Sequence, residues 1–488
     1  MANLSRRTLN SSAALACLAV FTVAALTGCA PDLGPKPEMR LPEAYSTAKS
    51  LDASVAAWPD EMWWKRYNDP QLNALIADAL AGSPDLKMAA ARVRAAEAMA
   101  DINESLLWPT IEGSGTFMET EITQNIGIPD SGLGAMFKQY LPKGFHHLAA
   151  LSLGMQYQLD LFGKNHANFA AALSAAEAAK ADEASARLQI ATGMASYYAV
   201  LTQLFADQAT ADDAVRVRGE SAALVEQRFG AGLENEASRS QARAQLEAAK
   251  VQVEVVAGLV ARVRHAIAAL AGKGPDYGLT IVPAGTHPLR SNGLPASLAA
   301  DLIGRRPDVV AARKMVEAAG YGIDAADANF YPNIDLTGLY GFGTLDAKYL
   351  LKSSSEMAGI GPALRLPIFD YGRNKAIYRA SRAKYDAADA LYDKTLTGAL
   401  RDVADAYGDR KALEGELLHA HRALAESENA YRVMKVRYDA GLARYIDVLS
   451  VEDRLLMQRM AVADFEAQAF AHDIALVRAL GGGYIEQK

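Results

Sequence analysis

Few side chains in this sequence are arranged for covalent or metal chemistry. Of the 8 histidines, only His146 with His147 and His419 with His421 stand close together. Residues two apart on a helix do not share a face, so neither pair makes a convincing metal site. No phosphate-cradling glycine loop, zinc-type spacing or nucleophile elbow occurs. The expectation is therefore a non-enzyme without catalytic residues, metal or bound cofactor. Two stretches remain. Cys29 ends an apolar run, and YIDVLSVEDRLL at 445–456 carries Ile446, Ser450 and Asp453 at i, i+4 and i+7, with Asp447 and Arg454 close by. Those three positions share one helix face. Copies of Asp453 converging on an axis would repel and bind cations. Alternatively, Asp453 is an ordinary ion-pair partner of a neighbouring helix.

The N-terminus has the charged, apolar, small-residue order of a signal peptide: Arg6 and Arg7, an apolar run from Ala13 to Leu26, then LTGC at 26–29. A run of 14 residues falls short of the ~20 that span a bilayer as a helix, so removal is expected. SRRTLN at 5–10 also has the twin-arginine order, which a basic leader explains equally well. LTGC resembles the lipobox of bacterial lipoproteins, which implies covalent lipid on Cys29 and, with Ala30 next, sorting to the outer membrane. Several acyl chains anchor stably where one is marginal. Cys17 lies inside the leader, leaving one cysteine and no internal disulfide. Pro31, Pro35, Pro37, Pro42 and Pro59 make the following segment an extended tether.

The elements beyond the tether occur twice. RFGAGL at 228–233 and RYDAGL at 437–442 are 209 positions apart. Glycine tolerates positive φ, so Gly232 and Gly441 each suit the tip of a helical hairpin. SPDL (83–86) and RPDV (306–309) precede WPTIEGSG (108–115) and YPNIDLTG (331–338), both pairs offset by 223; GKN (163–165) and GRN (372–374) return the offset to 209. Between these landmarks the pattern alternates with period two, predicting strands near 108–123, 147–161, 331–345 and 357–369. Ile334, Leu336, Tyr340 and Phe342 take one face, and Asn333, Asp335 and Thr337 begin the other. No proline interrupts the chain between Pro142 and Pro275 or after Pro367. Lys164 to Arg228 therefore reads as about 100 Å of helix at about 1.5 Å per residue. Leu396, Leu400, Val403 and Tyr407 follow the 4, 3, 4 spacing of a coiled-coil seam. Four strands cannot close a membrane barrel, which takes about eight, so several copies must pool theirs. Three copies would supply twelve, although strand counting does not by itself fix three.

Composition excludes little, with 51% hydrophobic and 22% charged residues, but a net charge of −7 without basic runs argues against nucleic acid as a partner. EMWWKRYNDPQLNALIADAL (61–80), GLPASLAADLIGRRPDV (293–309), ANFYPNIDLTGLYGFG (328–343), GPALRLPIFDYGRN (361–374) and the paired AGL turns are more informative. Together they give a chain that resembles TolC-like outer-membrane efflux channels, in particular the NodT-type lipoproteins of tripartite pumps. The resemblance implies a mixed α and β membrane protein: a homotrimer with a 12-stranded β-barrel, four strands per chain, continued by a long periplasmic α-helical barrel. Its organisation would be a signal peptide (1–28), lipidated tether (29–59), first repeat (60–271), equatorial connector (272–306), second repeat (307–480) and C-terminal tail (481–488). The implied function is a passive conduit for small toxic compounds. Its partners would be a periplasmic adaptor and an inner-membrane transporter, normally of the proton-driven RND class. It would be lipid-anchored in the outer membrane and extend into the periplasm.

By the same resemblance, Arg228, Ala231, Gly232 and Leu233, with Arg437, Ala440, Gly441 and Leu442, would meet the adaptor; helix capping alone is the competing explanation. Relatives commonly read YLDVLDAERSLL after the second tip. Here Ser450 replaces the usual aspartate and Asp453 stands where arginine is frequent. Ile446 would form the apolar constriction of a periplasmic gate and Asp453 its anionic ring, with Asp447 or Arg454 pairing across helices. Service to an ABC-type export system is the alternative within the channel class. A lipid-anchored coiled-coil spacer is the alternative outside it.

Overall fold

The structure is a computed structural model that describes residues 31–41, 44–47, 49–121, 123, 143–283, 293–295 and 298–486, without the side chains of 299 and 300. The signal peptide and Cys29 lie outside the described residues. The chain divides into two compact units that alternate along the sequence.

The first unit comprises Met1–Pro37, Ala95–Ala176 and Met315–Ala388. It holds β1 (Thr110–Glu121), β2 (Phe145–Leu159), β3 (Asn333–Thr344) and β4 (Glu356–Arg365). They form one antiparallel sheet in the order β1-β2-β3-β4, so β1 and β4 are open edges. The register aligns Ile111 with Met155, Leu153 with Tyr340, Leu151 with Phe342 and Ile334 with Leu364 on one face. Because side chains alternate along a strand, the other face collects Ser114, Ser152, Gln158 and Asn333. There the Ser114 and Ser152 hydroxyls lie 2.9 Å apart, and Gln158 Nε2 donates to Asn333 Oδ1 at 2.9 Å. Ile111, Phe117, Leu153, Ile360 and Leu364 are exposed. The start of the proline-rich segment is docked. Arg382 donates to the carbonyls of Gly34 and Pro35, and Tyr385 Oη donates to that of Pro37 at 2.9 Å.

Up to Asp327, six α-helices among the described residues lie wholly or partly in the second unit, which comprises Glu38–Arg94, Glu177–Lys314 and Asp389–Lys488. They are α1 (Pro70–Gly82), α2 (Pro84–Ser105), α3 (Lys164–Gly230), α4 (Glu236–Leu270), α5 (Leu298–Arg305) and, beginning at residue 307, α6 (Pro307–Asp327). The C-terminal part of the chain adds α7 (Arg373–Asp439) and α8 (Tyr445–Ala479). Helices α3 and α7 each have 67 residues, and α4 and α8 each have 35. Every boundary of the second pair lies 209 residues after its counterpart, as 373 − 164 and 479 − 270 show. Among the described residues no helix is long and apolar enough to cross a membrane.

The main core of this unit gathers Trp63, Trp64 and Tyr67 with Leu72 and Ile76 of α1, Met194, Tyr198 and Leu201 of α3, Val256 and Ile267 of α4, and Phe470 and Ile474 of α8. Asp69 caps α1 by accepting from Leu72 N at 3.0 Å and takes the Tyr198 hydroxyl at 2.7 Å. Such a carboxylate both starts the helix and satisfies a buried phenol. In the seam predicted on α7, Leu396, Leu400 and Val403 are buried. Leu400 and Val403 pack on Leu298 and Leu302 of α5 and on Leu476 of α8, so short α5 covers part of the stripe. The alanine-rich start of α3 permits close approach: Ala181 is 1% exposed against Val310 and Ala311.

Candidate functional site

The site is built around the two breaks between α3 and α4 and between α7 and α8. Helix α3 stops because Gly232 takes φ +74°, and α7 because Gly441 takes φ +73°. In each turn the leucine N–H closes back on the arginine carbonyl: Leu233 to Arg228 and Leu442 to Arg437, both 2.8 Å. That bond satisfies a carbonyl left over at the helix end. A Cβ on either glycine would meet nothing within 4 Å, so positive φ, and not crowding, asks for glycine. The restarts differ. Asn235 caps α4 by accepting from Ser238 N at 2.9 Å. On α8 the Asp447 carboxylate accepts from Arg444 N at 3.1 Å and pairs with the Arg444 guanidinium at 3.2 Å. The Arg444 backbone bond, more than any other interaction, holds the Asp447 carboxyl below its usual range.

The turns join a shared core. Val225 and Ala242 of the first hairpin pack with Tyr438, Tyr445, Val448 and Leu449 of the second. Above this core the second position of each hexapeptide holds an arginine on its ring: Arg239 lies 4.4 Å from the Phe229 centroid, and Arg228 5.0 Å from that of Tyr438. Tyr438 Oη donates to Glu234 Oε1 at 3.3 Å, and burial pushes the Tyr438 hydroxyl up to about 12. Arg228 is therefore turned inward. Ala231, Gly232, Ala440, Gly441 and Arg437 are exposed, as are Leu233 and Leu442, at 67% and 70%. The solvent-facing surface of the tips thus carries Leu233 and Leu442 among exposed backbone, with Arg437 and Asp439 beside them.

The residues after the second tip take separate places. Ile446 is 42% exposed, Ser450 Oγ bonds the Asp447 carbonyl at 2.9 Å, and Arg454 is exposed. Asp453 faces α3, where its Oδ1 accepts from Arg218 Nη2. Arg218 also lies 3.3 Å from Glu452 Oε1 and donates to the Gln245 carbonyl of α4 at 3.3 Å. One guanidinium thus ties three helices. Glu452 is 2% exposed, and burial raises its carboxyl while Arg218 opposes the rise. The sequence reading did not find Arg218, Glu452, Glu234, Tyr438 or Tyr445. For Tyr438 the paired aromatic at position two of both hexapeptides was an available signal.

Comparison with known proteins places this arrangement. Residues 75–273 and 298–482 match the family model described as outer membrane efflux protein. The multidrug resistance outer membrane protein MdtP of Escherichia coli K12 is 28% identical, with 96% of each chain covered. The probable outer membrane lipoprotein SilC of Salmonella typhimurium is 27% identical, over 96% of this chain and 99% of that one. Among solved structures, the outer membrane protein VceC of Vibrio cholerae is 35% identical, with a TM-score of 0.80 over 87% of this chain and all of the other.

Proposed function

This chain belongs to the outer membrane efflux protein family, and we propose that its open four-stranded sheet takes part in a membrane barrel and that its paired tips bind the adaptor of an export system. It is an outer-membrane channel subunit of an efflux pump. The open sheet carries the structural part of the proposal. Its apolar face suits lipid, yet the outer edges of β1 and β4 would leave backbone groups unsatisfied there. Three copies joined edge to edge would supply twelve strands and a closed barrel, each bringing its two helical hairpins into a periplasmic tube. The equal helix lengths support reading residues 60–271 and 307–480 as two repeats about the 272–306 connector.

Covalent lipid on Cys29 would add a second hold on the membrane; the lipoprotein designation of SilC supports it. Exposed Leu233 and Leu442 would dock the adaptor, with Arg437 contributing charge. The inner-membrane partner would be of the RND class. Ile446 would narrow the pore, and Asp453 would form an anionic ring in competition with Arg218 of its own chain. Native mass measurement of the detergent-extracted protein tests the assembly. Three copies are expected, and a stable monomer would overturn the barrel.

A further inference from the structure

Where the two halves of the sheet meet, Phe162 stacks on Tyr331 with ring centroids 4.7 Å apart and planes at 13°. Phe162 follows β2 and Tyr331 precedes β3, strands that pair from Leu159 and Ile334 onward. The sequence repeats both residues. Trp108 before β1 corresponds to Tyr331 before β3, and LDLF (159–162) to LPIF (366–369), so Phe369 corresponds to Phe162. Counted back from the starts of α3 and α7, the counterpart is Tyr371, also aromatic. The setting is repeated too: Asn165 Nδ2 donates to the Leu106 carbonyl at 3.2 Å, and Asn374 Nδ2 to that of Asn329 at 3.0 Å. The second stack, however, is not made within the chain. Trp108 stands by β1 and Phe369 by β4, at opposite edges of the sheet. Trp108 is 67% exposed, Phe369 86% and Tyr371 93%. The loop is nonetheless held in shape. Asp370 accepts from Gly372 N and Asn374 N, both at 2.9 Å, Tyr371 adopts φ +55°, and its ring meets that of Phe369 edge-on at 6.5 Å. A bulky residue kept in the left-handed region with its ring in solvent points to a use outside its own chain.

We propose that Phe369 and Tyr371 of one copy clasp Trp108 of the next, repeating between copies the stack that Phe162 and Tyr331 make within one. This rests on the pooled barrel proposed above, in which β4 pairs with the next copy's β1. Charge supports the same pairing. Gln158 lies opposite Asp335 in the β2 and β3 register, and their counterparts are Arg365 and Glu112, both exposed. Transferring the register therefore sets a guanidinium opposite or diagonal to a carboxylate of the next copy. It also keeps Ile360 and Leu364 on the face of Ile111 and Phe117, which a one-residue slip would turn over. The like-charged Glu356 and Glu121 would approach only at the far strand ends, where solvent screens them.

Thiol oxidation of the detergent-extracted oligomer tests the contact, using Trp108→Cys combined with Phe369→Cys and, separately, with Tyr371→Cys. Denaturing gels should show covalent dimers and trimers from at least one combination, beyond any formed by the single variants. Trp108→Ala should speed dissociation of the heated oligomer by about tenfold, read by native mass measurement. Arg365→Glu should also speed it, and adding Glu112→Arg should restore the wild-type rate. Because β1 and β4 are opposite edges of one sheet, such a rescue reads contact between copies. Oligomers that form without crosslinks in either combination, or that dissociate at the wild-type rate in Trp108→Ala, would overturn the clasp alone and leave the aromatic loop to lipid. Failure of the charge reversal to restore the rate would overturn the transferred register. A monomeric wild type would overturn the pooled barrel and the clasp together.

Discussion

Arg218 serves two consecutive acids: its Nε lies 3.3 Å from Glu452 Oε1, while its Nη2 donates to Asp453 Oδ1. The two bonds are unequal in setting. The Glu452 side chain is 3% exposed and that of Asp453 45%, so removing the arginine strands one buried charge and releases one that water can reach. Arg218→Ala should cost about 3–5 kcal/mol, the range for breaking a buried pair. Asp453→Ala should cost no more than about 1 kcal/mol, as partly exposed pairs do. Denaturant unfolding measures both.

Channel recordings address the other role of Asp453. If its carboxylates form an anionic ring, Asp453→Ala weakens block by multivalent cations and shifts cation selectivity. Arg218→Ala should strengthen the block in channels that still assemble, because it frees the same carboxylate. Unchanged block in both variants would confine Asp453 to its ion pair.

Tyr438 and Tyr445 both have hydroxyls raised to about 12, chiefly by burial. Their unfolded value is about 10. The folded state retains these protons between pH 10 and 12, so their contribution is full below pH 10 and is lost as pH rises through 12. A Tyr438→Phe, Tyr445→Phe double variant should show a shallower loss of stability in that alkaline window. At neutral pH the single changes should differ. Tyr438→Phe loses the bond to Glu234 and should cost about 0.5–1.5 kcal/mol. Tyr445 Oη is buried without a hydrogen-bond partner, so Tyr445→Phe should be neutral or stabilising.

At the tips, Gly232→Ala and Gly441→Ala should each cost about 1–2 kcal/mol, because an L residue is strained at positive φ even in open space. Leu233→Asp with Leu442→Asp should change stability by less than about 0.5 kcal/mol per site, since both side chains are exposed. The same pair should abolish crosslinking to the adaptor and lower efflux. Intact crosslinking and export would reduce the tips to helix caps.

Cys29→Ser should eliminate incorporation of labelled fatty acid. Assembly should survive, because neither the proposed pooling of strands nor the docking of Gly34, Pro35 and Pro37 on Arg382 and Tyr385 depends on the lipid. Membrane fractionation with native mass measurement distinguishes lost anchoring from lost assembly.

Much of the framework was legible because its causes are local. A proline-free run permits α3 and α7 to reach 67 residues. Period-two alternation marked all four strands, whose observed ends fall within a few residues of those expected. Hydrogen bonding at strand ends depends on the neighbouring strand as well as on the pattern, which is why β4 ends at Arg365 and not near 369.

The sequence by itself determined where helices could end, because positive φ at Gly232 and Gly441 is a property of the residue and its backbone. It likewise determined the two chemical faces of each strand, because side-chain direction follows the two-residue repeat. Only the tertiary structure decided that Arg228 turns onto Tyr438 while Arg437 remains exposed, although they occupy the same position in the two hexapeptides. The same holds for Asp453 meeting Arg218, 235 residues away. Such pairings depend on which faces of packed helices come together, and helical periodicity defines a face without naming its partner.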